Sequence, residues 1–223
     1  MKQLFTLLSI CVSTLSFAQS NVRVDEIQEL SAIVWRLAKC EEYNTRINPQ
    51  YLSDVETYFA DFKEHPVMDF IRDMRAGKDT LSVVAYNSVP MSGAAMLIHK
   101  GKVRLNPDVN ISEYIQNNDS RWSEENFRKY VKLLDNFYRK SNFRKFYEGQ
   151  SELYASYIED METLCQNIIE EEWFQQFYGM ELPEISVILR PYKVTAAMMS
   201  MPKATIYKYY CLVLRQNDIG LTR

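Results

Sequence analysis

Between Ser123 and Tyr138 the chain keeps one rhythm, with Phe127, Tyr130, Val131, Leu134, Phe137 and Tyr138 spaced to fall together on a helix. That spacing puts all six side chains on one helical face, whereas a strand would scatter them over both faces. Ser123 is a good N-cap for the run. A stripe this wide and this aromatic needs other elements to cover it, so the chain must fold as a multi-helix body.

The flanking sequence predicts the partners. Asp25 can cap a first helix with Gln28 as its capping-box partner, and Ile27, Leu30, Val34, Leu37 and Ala38 carry the repeat on to about Glu42. Asn48-Pro49 opens a second helix with Leu52, Val55, Phe59 and Phe62 on one face, and His65-Pro66 restarts the chain in the same way. The third helix, carrying Val67, Phe70, Ile71 and Met74, should end at Gly77; Asp79 offers a cap for a fourth that breaks before Pro90. All four read as short and amphipathic.

Gly93-Ala94-Ala95 reads as loop, and the residues on either side of Lys100-Gly101 suit a small β-hairpin. Leu153, Tyr154, Tyr157, Ile158, Met161, Leu164, Cys165 and Ile168 continue the helical rhythm through Glu170, and Trp173 to Tyr178 add an aromatic turn. The fold class expected is therefore mainly α: a multi-helix amphipathic bundle with a small β-hairpin near residues 96–105 and a short strand at 185–189.

The first twenty residues have a different character. Lys2, the apolar run Leu4–Phe17 and small Ser16 and Ala18 have the layout of a secretory signal peptide. Ser9, Ser13, Thr14, Ser16 and Gln19 interrupt the run too often for a membrane anchor. Cys11 follows bulky Ile10, which disfavours a lipoprotein. The expected organisation is a signal peptide at 1–18, a short linker at 19–24, a helical domain at 25–189 and an aberrant or divergent tail at 190–223, in an exported protein of the periplasm or the extracellular space.

Removal of the signal leaves about two hundred residues, enough for one real core. A formal charge of −3 is too near neutral to draw nucleic acid or anionic lipid over distance. Cys40, Cys165 and Cys211 are an odd set in an exported chain, which rules out a fully paired disulfide scaffold. Buried free thiols are preferred to a Cys40–Cys165 bridge.

Chemistry is sparse. Zinc hydrolysis of the H-E-x-x-H kind needs two histidines one helical turn apart, but His65 stands before a proline and His99 in the hairpin. Each is read as a surface or capping residue. Glu159, Asp160, Glu162 and Glu170 to Glu172 read as a solvated helix face. The basic and aromatic mixture from Asn136 to Gly149 resembles a nucleic-acid binder in composition, yet its aromatics keep helical spacing, so the core reading is preferred. No residue is assigned a catalytic, cofactor or metal role; no cofactor is expected and the partner is unknown.

The stretches SAIVWRLAKCEEYN (31–44), YLSDVETYFADFKEHPVMDFIRDMR (51–75), RWSEENFRKYVKLLDNFYRKSNFRKFYEG (121–149), WFQQFYG (173–179) and ISVIL (185–189) together resemble the N-terminal half of a secreted bacterial family, domain of unknown function 4932. The series and its spacing carry the likeness, which covers most of residues 25–189. Members of that family continue past such a strand into a glycine- and asparagine-rich turn and then an H-E-x-x-H helix. The resemblance thus implies a zinc-dependent peptidase as the family's role.

This chain departs after Leu189, so no family active-site residue is carried over. The function expected is an exported, catalytically incomplete N-terminal portion of such a peptidase. The alternatives are a non-enzymatic helical module binding peptide or glycan in the cell envelope, and an enzyme using a carboxylate pair. For the tail, a shifted reading frame is one explanation, because the codons open to residues 190–202 also permit an Asn-Gly turn after ISVIL. The other is a genuine strand within Thr205–Arg215 pairing with Ile185–Leu189. If the partners of Ile185–Leu189 lay outside the sequence, its edges would be unpaired and the fold marginal.

Overall fold

The stripe from Phe127 to Tyr138 becomes the long helix α6 (Glu124–Lys140), and all six stripe residues are buried. Ser123 Oγ accepts the Asn126 N–H at 3.1 Å. Glu124 and Glu125 in the first turn and Arg139 and Lys140 in the last complement the helix dipole. The computed structural model describes residues 21–43, 48–78, 88–168, 176, 185–189, 196–200 and 209–212.

Around α6 stand β1 (Asn21–Val24), α1 (Glu26–Leu37), α2 (Pro49–Tyr58), α3 (Pro66–Ala76), α4 (Ser88–Ala94), β2 (Met96–His99), β3 (Lys102–Leu105) and α5 (Ile111–Asn118). After α6 follow α7 (Phe143–Gly149), α8 (Ser151–Ile168), β4 (Ile185–Leu189), β5 (Ala196–Ser200) and β6 (Tyr209–Leu212). The fold is mainly helical with a small antiparallel hairpin and a short strand at 185–189, as the spacing predicts.

Local chemistry explains most boundaries. Asp25 accepts from the N–H groups of Ile27 and Gln28, Asn48 from Tyr51, and His65 from Val67, with Pro49 and Pro66 at the helix starts. Gly77, at φ 62°, ends α3 with the paired bonds Gly77 N–H to Met74 O and Lys78 N–H to Asp73 O. Lys100 and Gly101 both have positive φ, the backbone of a two-residue hairpin turn that matches strand twist.

Five expectations are corrected. Helix α1 stops at Leu37 instead of reaching Glu42, because Lys39 takes a left-handed φ of 64° and closes the same double bond pattern, Lys39 N–H to Arg36 O and Cys40 N–H to Trp35 O. Nor is α1 amphipathic in place, since Gln28, Glu29 and Ser31 are as buried as its apolar face. Helix α4 includes Pro90, Gly93 and Ala94. Pro90 lies in its first turn, where the N–H would have no helical partner and the proline costs no bond. The cap proposed at Asp79 lies outside the described residues, as do the signal segment and the aromatic residues of the turn at 173–178.

The remaining two corrections concern the sheet, whose order is β1-β4-β5-β6. Asn21–Val24, expected within a linker, is a strand parallel to β4, with Val22 beside Val187 and Val24 beside Leu189. The tail also contributes: β5 pairs antiparallel to β4, and β6 to β5. Tyr209–Leu212 is therefore a strand whose neighbour is β5 and not Ile185–Leu189. Because β4 has a partner on each side, its edges carry no row of unpaired backbone groups.

The core is aromatic. Phe59 packs among Phe137, Phe143 and Phe146 at centroid distances of 5.6, 5.9 and 5.0 Å, which joins α2, α6 and α7. Trp35 donates its indole N–H to Tyr130 at 3.2 Å, a buried bond that joins α1 to α6. Each such ring contributes roughly 1.5–3 kcal/mol by leaving water.

Candidate functional site

The residues singled out in the sequence do not converge. His65 is buried and caps α3: Nδ1 accepts the Val67 N–H at 3.3 Å, which places the ring proton on Nε2, 2.9 Å from Asn136 Oδ1. It is a structural link from α3 to α6. His99 is exposed beside the hairpin turn, and Glu159, Asp160 and Glu162 are exposed on α8; Glu170 to Glu172 lie outside the described residues. Phe137, Tyr138, Phe143 and Phe146 face inward, whereas Arg139, Lys140, Arg144 and Lys145 are exposed, as helical spacing predicts.

Cys40 is a buried free thiol, so the alternative bridge to Cys165 is not formed. Burial first, and then the nearby Glu42 carboxylate, push its pKa up to about 12, which leaves it unreactive at neutral pH. Among the described residues, no group of three or more His, Cys, Asp or Glu is placed to hold a metal ion.

A different cluster forms where β1 runs into α1. Tyr147 donates its hydroxyl to the Val24 carbonyl at 2.7 Å. One residue into α1, Glu26 accepts from Tyr138 Oη at 2.9 Å and from Arg144 Nη1 at 2.8 Å. Arg144 also donates Nε to Glu148 at 2.7 Å. Burial raises the Glu26 pKa despite the opposing pull of Tyr138 and Arg144. Tyr138 is pushed up to about 12 by burial and then by the Glu26 bond, while Glu148 and Glu26 hold Arg144 firmly cationic.

Tyr138 and Arg144 also line a pocket of about 390 Å³, together with Gly101, Arg139 and Asn142. The chain builds it at a corner. Asn142, with φ 51° and ψ 46°, breaks the helix between α6 and α7; in one unbroken helix Arg139 and Arg144 would lie about 140° apart. Asn is among the few residues that tolerate this left-handed backbone. Asp135 fixes one wall by accepting both the Val103 N–H at 3.0 Å and the Arg139 guanidinium at 2.8 and 3.0 Å, so the hairpin is clamped to α6.

The pocket residues offer hydrogen-bond donors. Their carboxylate partners Glu26, Asp135 and Glu148 orient the arginines, and Glu26 has both oxygens engaged. This arrangement suits binding better than acid/base work. A second polar group is internal: Tyr51 donates to the fully buried Glu29, and Tyr51 and Tyr154 share a hydroxyl contact of 3.1 Å, which ties α1, α2 and α8 together. Periodicity could flag none of these residues, because polar side chains on a helix read as surface until the neighbours are known.

No helix among the described residues is long and apolar enough to cross a membrane. No protein-family model, curated protein or solved structure matches the chain.

Proposed function

We propose that residues 21–189 form the helical, non-catalytic portion of an exported protein related to the 4932 family, a wall against which the catalytic segment of a zinc-dependent peptidase packs. The observation that supports this reading is the place of β4. It is the strand after which members of that family begin their catalytic segment, and it runs parallel to β1 with Leu189 beside Val24. Both carboxyl ends therefore meet the start of α1 and the cluster around Glu26. In sheets with parallel strands, ligands collect at such ends. The helices hold the strand in place and leave the chemistry to residues beyond it.

The test is to compare this chain with a version continued after Leu189 by the family's turn and H-E-x-x-H helix, measuring bound zinc and peptide hydrolysis in each. The expected result is zinc and activity in the extended protein alone; zinc-dependent hydrolysis by the present chain overturns the reading. Export is checked by fractionating cells and sequencing the mature N-terminus, expected at Gln19. A second reading, a module that binds peptide or glycan, is favoured by the corner pocket.

A further inference from the structure

We propose that the pocket at the α6–α7 corner recognises the C-terminal carboxylate of a peptide, an inference that rests on the binding reading of the chain. Arg139 uses Nε and Nη2 on Asp135, and Arg144 uses Nε on Glu148 and Nη1 on Glu26. Each guanidinium so keeps one amino group outside its ion pairs, although Arg144 also bonds Tyr138, and both residues line the same pocket. The pairs set the arginines in place before a ligand arrives, which lowers the ordering cost of binding.

The surroundings favour an anion. Lys100 and Lys102 flank Gly101, Lys140 follows Arg139 and Lys145 follows Arg144, all four exposed. With the two arginines they outnumber the three carboxylates that hold the arginines. Two separate amino groups match the two oxygens of a carboxylate. Arginines also pair with tetrahedral oxyanions, so inorganic phosphate is the control that separates the two. Asn142, whose carboxamide both donates and accepts, suits the last peptide unit of the ligand. A volume of about 390 Å³ is room for a terminal residue and falls within the range of small-ligand sites.

The experiment is an NMR titration of the ¹⁵N-labelled protein with N-acetyl-trialanine as the free acid, its C-terminal amide, glucuronic acid and inorganic phosphate. The free acid is expected to shift the Gly101 and Asn142 amides saturably, with the amide form at least about tenfold weaker. Arg139→Gln, on an exposed side chain, should weaken binding by a similar factor while melting as the parent does, and Asn142→Gly should keep the corner and weaken binding less. Equal binding of the amide, or tighter binding of glucuronic acid or phosphate, overturns the proposal. Saturable shifts confined to another surface overturn the pocket but keep the binding reading. No shift with any probe counts against both.

Discussion

Glu26 shows how a single carboxylate can matter more through its neighbours than through its own reactivity. It stands one residue inside α1, yet it joins that helix to α6 through Tyr138 and to α7 through Arg144. Burial raises its pKa above the ordinary 4.5. As pH climbs through that window the folded chain holds a proton that the unfolded chain has already lost, so this group's contribution to stability falls as pH rises. Urea melts of the parent and of Glu26→Gln from pH 4.5 to neutrality should show the parent losing stability relative to the variant, and a constant difference would sink the argument. Lys39 carries a second residue-scale cost. It is exposed in a left-handed conformation at φ 64°, so Lys39→Gly should raise the unfolding free energy by about 0.5–1 kcal/mol, measured by chemical denaturation.

Among the elements, the helix starts do double duty. Asn48 accepts the Tyr51 N–H at the head of α2 and also donates Nδ2 to Tyr157 on α8 at 2.8 Å. Asn48→Ser retains a capping oxygen and loses the reach to Tyr157, whereas Asn48→Ala loses both. The expected order of stability is parent, Ser, Ala, with steps of about 1 kcal/mol each, read from denaturant midpoints. Equal stability of the two variants would show that the cap carries nothing. His65 follows the same plan at α3, bonding α6 through Asn136. Such side chains join neighbouring helices by directed bonds where the apolar contacts alone leave rotation open.

At the scale of the molecule, the decisive contact joins the first described strand to β4. Strand β1 covers one edge of β4, residues 21–24 meeting 186–189, and α8 and Tyr147 pack behind it. Deleting residues 21–24 strips β4 of that partner and removes the buried side chains of Val22 and Val24. The shortened protein should melt lower and self-associate through the bared edge, as light scattering would reveal; an unchanged melt of a monomer would mean that the sheet contributes nothing to the fold.

Helices α1, α2, α3, α6 and α8, the caps at Asp25, Asn48, His65 and Ser123 and the hairpin turn were legible in the residues alone, because spacing, Pro at a helix start and Gly at a turn act within a few positions of themselves; α5 and the reach of α4 over Pro90 to Ala94 were not. All six members of the Phe127–Tyr138 stripe are buried for that reason. The polar burial of Gln28, Glu29 and Ser31, the strand at 21–24 and the pocket around Arg139 and Arg144 were not legible. Each depends on which distant segment lies opposite: Tyr51 for Glu29, β4 for β1, and a left-handed Asn142 that turns two arginines toward one hollow. Local sequence determined which elements form and which faces are apolar. Only the tertiary structure decided which polar groups converge, since that follows from the packing of elements far apart in the chain, as with Glu26 and Arg144, 118 positions apart.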